Sequence, residues 1–476
     1  MRYFLIILIA LFILSCELED HKLSLSDYNR AVEFLPGNIQ KKIYNLDVRP
    51  NWFEDSISFW YKTNTASGTT FYLVHLDSMK KARAFDHKRL ADSLKVFFDE
   101  KIDDKELEIG EITYALPDSI GFTSRNRTFK LYRNTYKLKE IEDKQENASD
   151  KSEIPSPDEN WLAYIKEHNL YIKSAKSGNV FQLSYDGNKY YDYANYYGWG
   201  DVIRGENGTR KDNFWVDWSP DSKKIYTTIT DLRTARKMYL LDWSIDSLYR
   251  PDLLYYYRAS PGDTNLVYQV PVIFDIESGK MIKIDMEPKA HVNIPDLRWS
   301  EDGAFLYGRN WHRGYKRLDF IEIDPSNGHI RVVGTDSSKT NIEIMYSIFE
   351  YSEKTNKIFF SSERSGWNML YSMDWETGKI TQITNGSYFI KDLEYLDEEN
   401  EVIYFTAAGK ETGINPYLQF LYRVTYDGYE LRHLTPEDAN HMVDFSFDGR
   451  YNVDNYSNLD QPTITVIRSS TDGEVL

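Results

Sequence analysis

Cys16 is the only cysteine in the chain and the residue best placed for covalent chemistry. It closes the sequence Ile13-Leu14-Ser15-Cys16, directly after a continuous apolar run over residues 4–14, and Arg2 places a positive charge ahead of that run. Eleven apolar residues are too few to anchor a helix across a bilayer but suit the core of an exported leader. A cysteine at the cleavage point has the form of a lipobox, in which the thiol takes up lipid and the cysteine becomes the new N-terminus. Residues 1–15 therefore read as a lipoprotein signal peptide and Cys16 as the lipidation site. With a single cysteine no disulfide can form within the chain, so its stability must come from core burial.

Other reactive constellations are missing from the sequence. It contains no G-x-S-x-G elbow, no H-E-x-x-H, no phosphate-binding P-loop and no C-x-x-C. The nine histidines are scattered singly. Residues 99–108 are rich in acid but lack the alternating ligands and central glycine of a calcium loop, so they read as a solvated turn. No catalytic residue, metal ligand or cofactor is assigned. With 57 Lys+Arg against 74 Asp+Glu the net charge is −17, which disfavours nucleic acid because a phosphate backbone needs a basic stripe.

The elements that would position any site are strands. The 37 Tyr, 24 Phe and 11 Trp favour half-buried pleated surfaces. Strand-like runs end in turn glycines at 279, 328, 378 and 428, a beat of 49, 50 and 50 residues. Gly178 lies 101 residues before Gly279, which reads as two beats. A second marker runs out of phase: Ser156-Pro157-Asp158, Trp218-Ser219-Pro220-Asp221-Ser222, Trp299-Ser300-Glu301-Asp302-Gly303 and Phe445-Ser446-Phe447-Asp448-Gly449. Serine and aspartate suit tight turns through side-chain bonds to the backbone. Each unit then holds about four short strands, the anatomy of a propeller blade.

The fold expected is all-β, an eight-bladed β-propeller with a short N-terminal helix. Two degenerate blades lie around residues 57–86 and 112–136, and six clearer ones start near Ser156, Trp218, Trp299, Tyr351, Leu396 and Phe445. Residues 24–35 read as the helix, capped by Ser26 or Asp27 and stopped by Pro36-Gly37, and residues 86–98 also have helical spacing. Residues 140–158 read as a polar, mobile inter-blade loop. The organisation is thus a signal peptide (1–15), a tether with the helix (16–50) and the propeller (51–476).

Several motifs resemble the bacterial dipeptidyl peptidase IV family of S9 serine peptidases. They are Trp52-Phe53-Glu54-Asp55-Ser56-Ile57-Ser58-Phe59-Trp60-Tyr61, the Trp218-Ser219-Pro220-Asp221-Ser222 turn with Asp231-Leu232-Arg233, and Ser362-Glu363-Arg364-Ser365-Gly366-Trp367-Asn368-Met369-Leu370-Tyr371. Near the end, Val453-Asp454-Asn455-Tyr456-Ser457 with Gln461-Pro462 is similar to the family's last propeller strands. The resemblance implies an eight-bladed propeller that admits short or unfolded peptides to an α/β-hydrolase domain bearing a Ser-Asp-His triad. That domain follows the last blade in the family, whereas this sequence stops at Leu476. The catalytic domain is thus expected to be absent here, the chain being either part of a longer peptidase or a stand-alone propeller.

In that family a pair of glutamates holds the substrate's free amine, on an excursion before the Trp-Ser-Pro-Asp turn. A partly buried ammonium requires carboxylate neighbours. The corresponding stretch, Asp192-Tyr193-Ala194-Asn195-Tyr196-Tyr197-Gly198-Trp199-Gly200-Asp201, has no Glu-Glu pair. Asp201 and Glu206 are the candidate substitutes, and Tyr196, Tyr197 and Trp199 the candidate lining of a peptide path. Expected partners are peptides, a hydrolase domain encoded downstream and a membrane reached through the lipid on Cys16. The acidic Glu17-Leu18-Glu19-Asp20 resembles the export signal of Bacteroidetes-type surface lipoproteins, so a lipid-anchored place in the cell envelope is expected, periplasmic or surface-facing. The alternative function is a stand-alone surface propeller that binds proteins or peptides.

Overall fold

A computed structural model describes residues 23–39, 42–141, 153–197, 202–208, 211–244, 250–290 and 293–476. Cys16, the signal peptide, Trp199, Asp201 and most of the 140–158 loop lie outside the described residues. The described residues form nine antiparallel sheets, eight that follow one another along the chain and a two-stranded ribbon inserted within the fourth. The first runs from Asn51–Trp52 to Lys80–Arg83 and the second from Ile112–Ala115 to Lys137–Ile141. The third runs from Glu153–Pro155 to Val180–Gln182, the fifth from Asp296–Trp299 to Ile330–Ser337, and the sixth from Phe349–Ser352 to Ile380–Gln382. The seventh runs from Phe389–Asp397 to Arg432–His433, and the eighth has three strands, Asn440–Phe445, Tyr451–Asn458 and Gln461–Ser469.

The fourth sheet is larger than its neighbours and corrects one reading of the repeat. Its principal pair, Lys224–Asp231 with Tyr268–Asp275, is flanked by four shorter strands. Gly178 and Gly279 are the turn glycines of adjacent sheets, not of sheets two beats apart. The extra length is an excursion ahead of Asp217–Trp218 and a separate two-stranded ribbon, Lys237–Asp242 paired with Asp252–Tyr257. Interval counting cannot separate an omitted blade from an enlarged one.

The serine-aspartate turns recur atom for atom. The hydroxyls of Ser156, Ser219, Ser300 and Ser446 accept from the amides of Trp161, Lys224, Phe305 and Tyr451 at 2.9–3.1 Å. They donate to Asp158, Asp221, Asp302 and Asp448 at 2.6–2.9 Å. The residue three after each serine takes positive φ: Glu159, Ser222, Gly303 and Gly449. All four serines are buried. The turn glycines 178, 279, 328, 378 and 428 have φ between +64° and +83°, where a side chain is disfavoured.

The chain packs as two units, residues 1–141 with 455–466, and residues 142–454 with 467–476. Within the first, Trp60, Phe71, Phe122 and Phe129 form a core with one face of a helix at His87–Phe98, which buries Leu90, Ala91 and Leu94. The Asp86 carboxylate caps that helix by accepting from Arg89 N at 3.1 Å. Also in this unit, the Asn455 carboxamide clasps the backbone of Val48, both accepting from its N–H and donating to its C=O at 2.9 Å. In the second unit the fifth to seventh sheets share an aromatic core that includes Phe320, Phe359, Phe360, Phe405 and Tyr422. Each such ring contributes about 2–3 kcal/mol through its removal from water.

The N-terminal helix forms at Leu25–Val32, and its cap is Ser24, not Ser26 or Asp27. Asp27 sits three residues into the helix and accepts from Ser24 N at 2.9 Å while Ser24 Oγ accepts from Asp27 N, a reciprocal box. Pro36, read as a stop, opens a further turn of helix, Pro36–Ile39, where its missing N–H costs nothing. In the acidic 99–108 stretch, Glu100 and Glu108 pair with Arg125.

Candidate functional site

The excursion of the fourth sheet starts from a buried polar network. Asn195 Nδ2 donates to Asp192 Oδ2 at 2.9 Å and to Asp212 Oδ1 at 3.0 Å, and its Oδ1 accepts from Asn213 N at 2.8 Å. Thr230 Oγ1 donates to the Asn195 carbonyl, Gln269 Nε2 donates to Thr230 Oγ1, and Thr228 Oγ1 donates to Gln269 Oε1. His168 Nδ1 lies 3.3 Å from Asp192 Oδ1. Asp192, Asn195, Thr228, Thr230 and Gln269 are all buried, so the segment leaving at Tyr196 departs from a rigid base.

The predicted residues separate on this base. Tyr197 is buried: it packs with Leu232, Tyr257 and Val267, and its hydroxyl accepts from Tyr257 N at 3.2 Å. It therefore supports the excursion from within rather than lining a peptide path. Tyr196 is half-buried, tied through its N–H to the Asn213 carbonyl at 3.0 Å, and burial pushes its phenol up. Glu206 ends a short helix, Val202–Glu206, and is half-buried. The next residue, Asn207, brackets this segment to the ribbon: Nδ2 donates to the Tyr255 carbonyl at 2.7 Å and Oδ1 accepts from Tyr255 N at 3.2 Å.

Sequence reading missed both the network and the ribbon. One signal was present: Thr227, Thr228 and Thr230 interrupt an otherwise apolar inner strand, and buried hydroxyls imply partners.

Two polar cavities lie in the second unit, and the 338–348 segment contributes to both. The larger, about 340 Å³, is lined by Asp336, Ser337, Thr340, Ser362, Glu363 and Arg364 among others. Arg364 donates from Nη2 to Asp336 Oδ1 at 2.9 Å and from Nε to Ser362 Oγ at 3.0 Å, fixing the motif singled out at 362–371. The smaller, about 270 Å³, holds Asp392 and Glu394 beside Tyr346 and Thr406. Burial pushes the Glu394 carboxyl up to about 7, with Asp392 and Asp444 adding to the shift and the 2.7 Å bond from Thr406 opposing it.

A further group joins half-buried Glu437 with buried His441 and Asp454, their ligand-type atoms within 4.8 Å of one another. The Arg468 guanidinium occupies the role a cation would take, donating to Glu437 at 2.6 Å and to Asp454 at 2.9 Å. His441 faces Asp454 through Nδ1 at 2.9 Å and the Glu437 carbonyl through Nε2 at 3.0 Å. Its donor set is internally satisfied, and it reads as a structural staple.

Successive antiparallel sheets of about four strands, stepped by recurring serine-aspartate turns, define a β-propeller. The chain belongs to the Dipeptidyl peptidase IV (DPP IV) N-terminal region family, which it matches over residues 123–463. It is 22% identical over 324 residues to the "Probable dipeptidyl peptidase 4" of Emericella nidulans, covering 64% of this chain and 40% of that protein. Among solved structures, dipeptidyl peptidase 4 of Porphyromonas gingivalis superposes with a TM-score of 0.60 at 13% identity, covering 96% of this chain and 62% of that one. The chain thus spans about 40% and 60%, respectively, of these two relatives' lengths.

Proposed function

We propose that this chain is the non-catalytic, peptide-admitting propeller portion of a dipeptidyl peptidase IV-like serine exopeptidase, working in proteolysis with an α/β-hydrolase domain encoded beyond it. The family match over residues 123–463 carries the reading. The role assigned is selection and orientation of peptides, because acyl transfer to water needs a nucleophile, a base and oxyanion donors on one rigid element. In this reading Tyr196 and Glu206 present the peptide-facing edge of the excursion, the buried network beneath keeps it in place, and Trp199 and Asp201 are proposed as further peptide contacts. A lipid on Cys16 tethers the assembly in the cell envelope.

The test uses the purified chain, a Gly-Pro chromogenic substrate, a fluorophosphonate serine probe and a fluorescent short peptide. No turnover and no probe labelling are expected. Saturable peptide binding is expected, weakened several-fold by Glu206→Gln. Labelling of one serine in this chain, or absence of peptide binding, overturns the reading.

A second reading, a protein-docking module, draws on the ribbon, where Tyr239, Trp243 and Leu253 are 59%, 70% and 63% exposed. It predicts a stable complex with a folded protein that survives loss of peptide binding.

A further inference from the structure

Most described arginines in this acid-rich chain are matched with carboxylates. Arg125 pairs with Glu108, Arg127 with Glu140, Arg331 with Glu322 and Arg364 with Asp336. Arg83 and Arg133 are among the exceptions, and they fall together. Both line one open cleft of about 320 Å³ within the first unit, together with Ala84, Phe85, Asp86 and Tyr136. Among the described residues neither guanidinium has an ion-pair partner, and Arg133 Nε is shut off from solvent without any acceptor. A buried donor left unmatched is costly, and a guanidinium held that way calls for an anion.

The cleft is assembled from two elements. Arg83 ends the last strand of the first sheet, and Asp86 lies in the strap that leads from it to the helix His87–Phe98. Arg133 and Tyr136 come from the turn between Arg127–Tyr132 and Lys137–Ile141 in the second sheet. The Tyr136 hydroxyl accepts from Asp86 N at 2.5 Å, which leaves its own O–H free to donate. Arg89 stacks on the Tyr136 ring with its guanidinium carbon 3.9 Å from the centroid, adding a third positive charge. The one carboxylate in the lining, Asp86, accepts from the Arg89 amide through Oδ1, and its charge remains beside the cleft. The helix end therefore has its own cap and supplies nothing to the cleft. Burial and then the charge of Arg83 lower the affinity of His87, next in sequence, for its proton.

We propose that this cleft binds a phosphate-type oxyanion, held between Arg83 and Arg133 with the Tyr136 hydroxyl as a third donor. One guanidinium fork satisfies a planar carboxylate, whereas donors from two sides suit a tetrahedral anion with more oxygens and more charge. Burial lowers the affinity of Arg133 for its proton, and a bound anion restores it. Free phosphate and the phosphate of a lipid headgroup share this chemistry.

Calorimetric titration of the full chain with inorganic phosphate, acetate and soluble dihexanoyl phosphatidic acid tests the site. Saturable phosphate binding is expected, with acetate failing to compete. Arg83→Gln and Arg133→Gln should each weaken binding by about tenfold or more. Arg83 is exposed at a strand end, so its variant keeps the proposal testable should Arg133→Gln misfold. Lipid binding more than about tenfold tighter than phosphate assigns the site to a headgroup, and equal or weaker binding assigns it to the free anion. No saturable heat at millimolar phosphate, or unchanged affinity in the folded double variant, overturns the proposal.

Discussion

Trp299 donates its indole N–H to the backbone carbonyl of Asp217 at 3.3 Å, and the same bond recurs one sheet earlier between Trp218 and the carbonyl of Ile154. In both, the tryptophan precedes a turn serine and the acceptor stands two residues before the turn serine of the neighbouring sheet. The serine-aspartate turn thus does two jobs: it reverses its own chain and sets the indole that ties it to the sheet beside it.

Removing that turn should loosen the tie. Ser300→Ala deletes the acceptor for Phe305 N and the donor to Asp302 at a buried position. A loss of about 1–2 kcal/mol is expected, read as a lower urea midpoint with unchanged slope. A loss under roughly 0.3 kcal/mol would show that the hydroxyl only fills space.

Two turn glycines with similar φ should respond unequally to alanine. At Gly279 a methyl meets open space, so the left-handed backbone alone costs about 1 kcal/mol. At Gly328 the added Cβ would lie 2.0 Å from the Lys283 carbonyl oxygen, and a loss of about 3 kcal/mol or more is expected. Equal melting temperatures for the two variants would contradict this ordering.

The staple at Arg468 makes a sharper prediction. Its side chain is 1% exposed and neutralises Asp454 and Glu437. Arg468→Met leaves both carboxylates short of charge, at an expected cost of about 3–5 kcal/mol. Burial pushes Glu437 up, but Arg468 more than offsets this and the net value is depressed. Adding Asp454→Asn to Arg468→Met should recover part of the loss, a coupling readable in a double-mutant cycle.

Glu394 works in the opposite sense. Its folded value, about 7, exceeds its ordinary 4.5, so the folded chain binds this proton more tightly than the unfolded chain does. The resulting stabilisation is complete below about pH 4.5 and is lost as pH rises through 7. Glu394→Gln should be more stable than the parent by about 1–2 kcal/mol at pH 8, with part of its surface still solvated, and equal to it near pH 4.5. Urea midpoints at the two pH values check this.

How much of this was legible in the sequence differs between fold and site. The sheet phases were readable because turns demand particular residues: glycine for positive φ, and serine with aspartate for bonds to the backbone. The first sheet lacks that pair, yet Asp55 accepts from Ile57 N and Ser58 N while Ser56 takes φ +56°, so the same turn was written in other letters. The site was less legible. Asp192, Asn195, Thr230 and Gln269 converge from positions up to 77 residues apart, and no spacing announces that. Tyr197 looked like peptide lining because an aromatic near an excursion has the same one-dimensional appearance whether it faces solvent or Leu232.

The Asn455 clasp on Val48 sets a timetable. The first unit draws on residues 1–141 and then, after a gap of roughly three hundred residues, on 455–466. At synthesis rates of about 5–20 residues per second, its last strands leave the ribosome some 15–60 s after the others. Until then the backbone groups of Val48 must be satisfied by water. The unit's final assembly therefore waits on a contact spanning 407 positions rather than on the local turns that build its sheets.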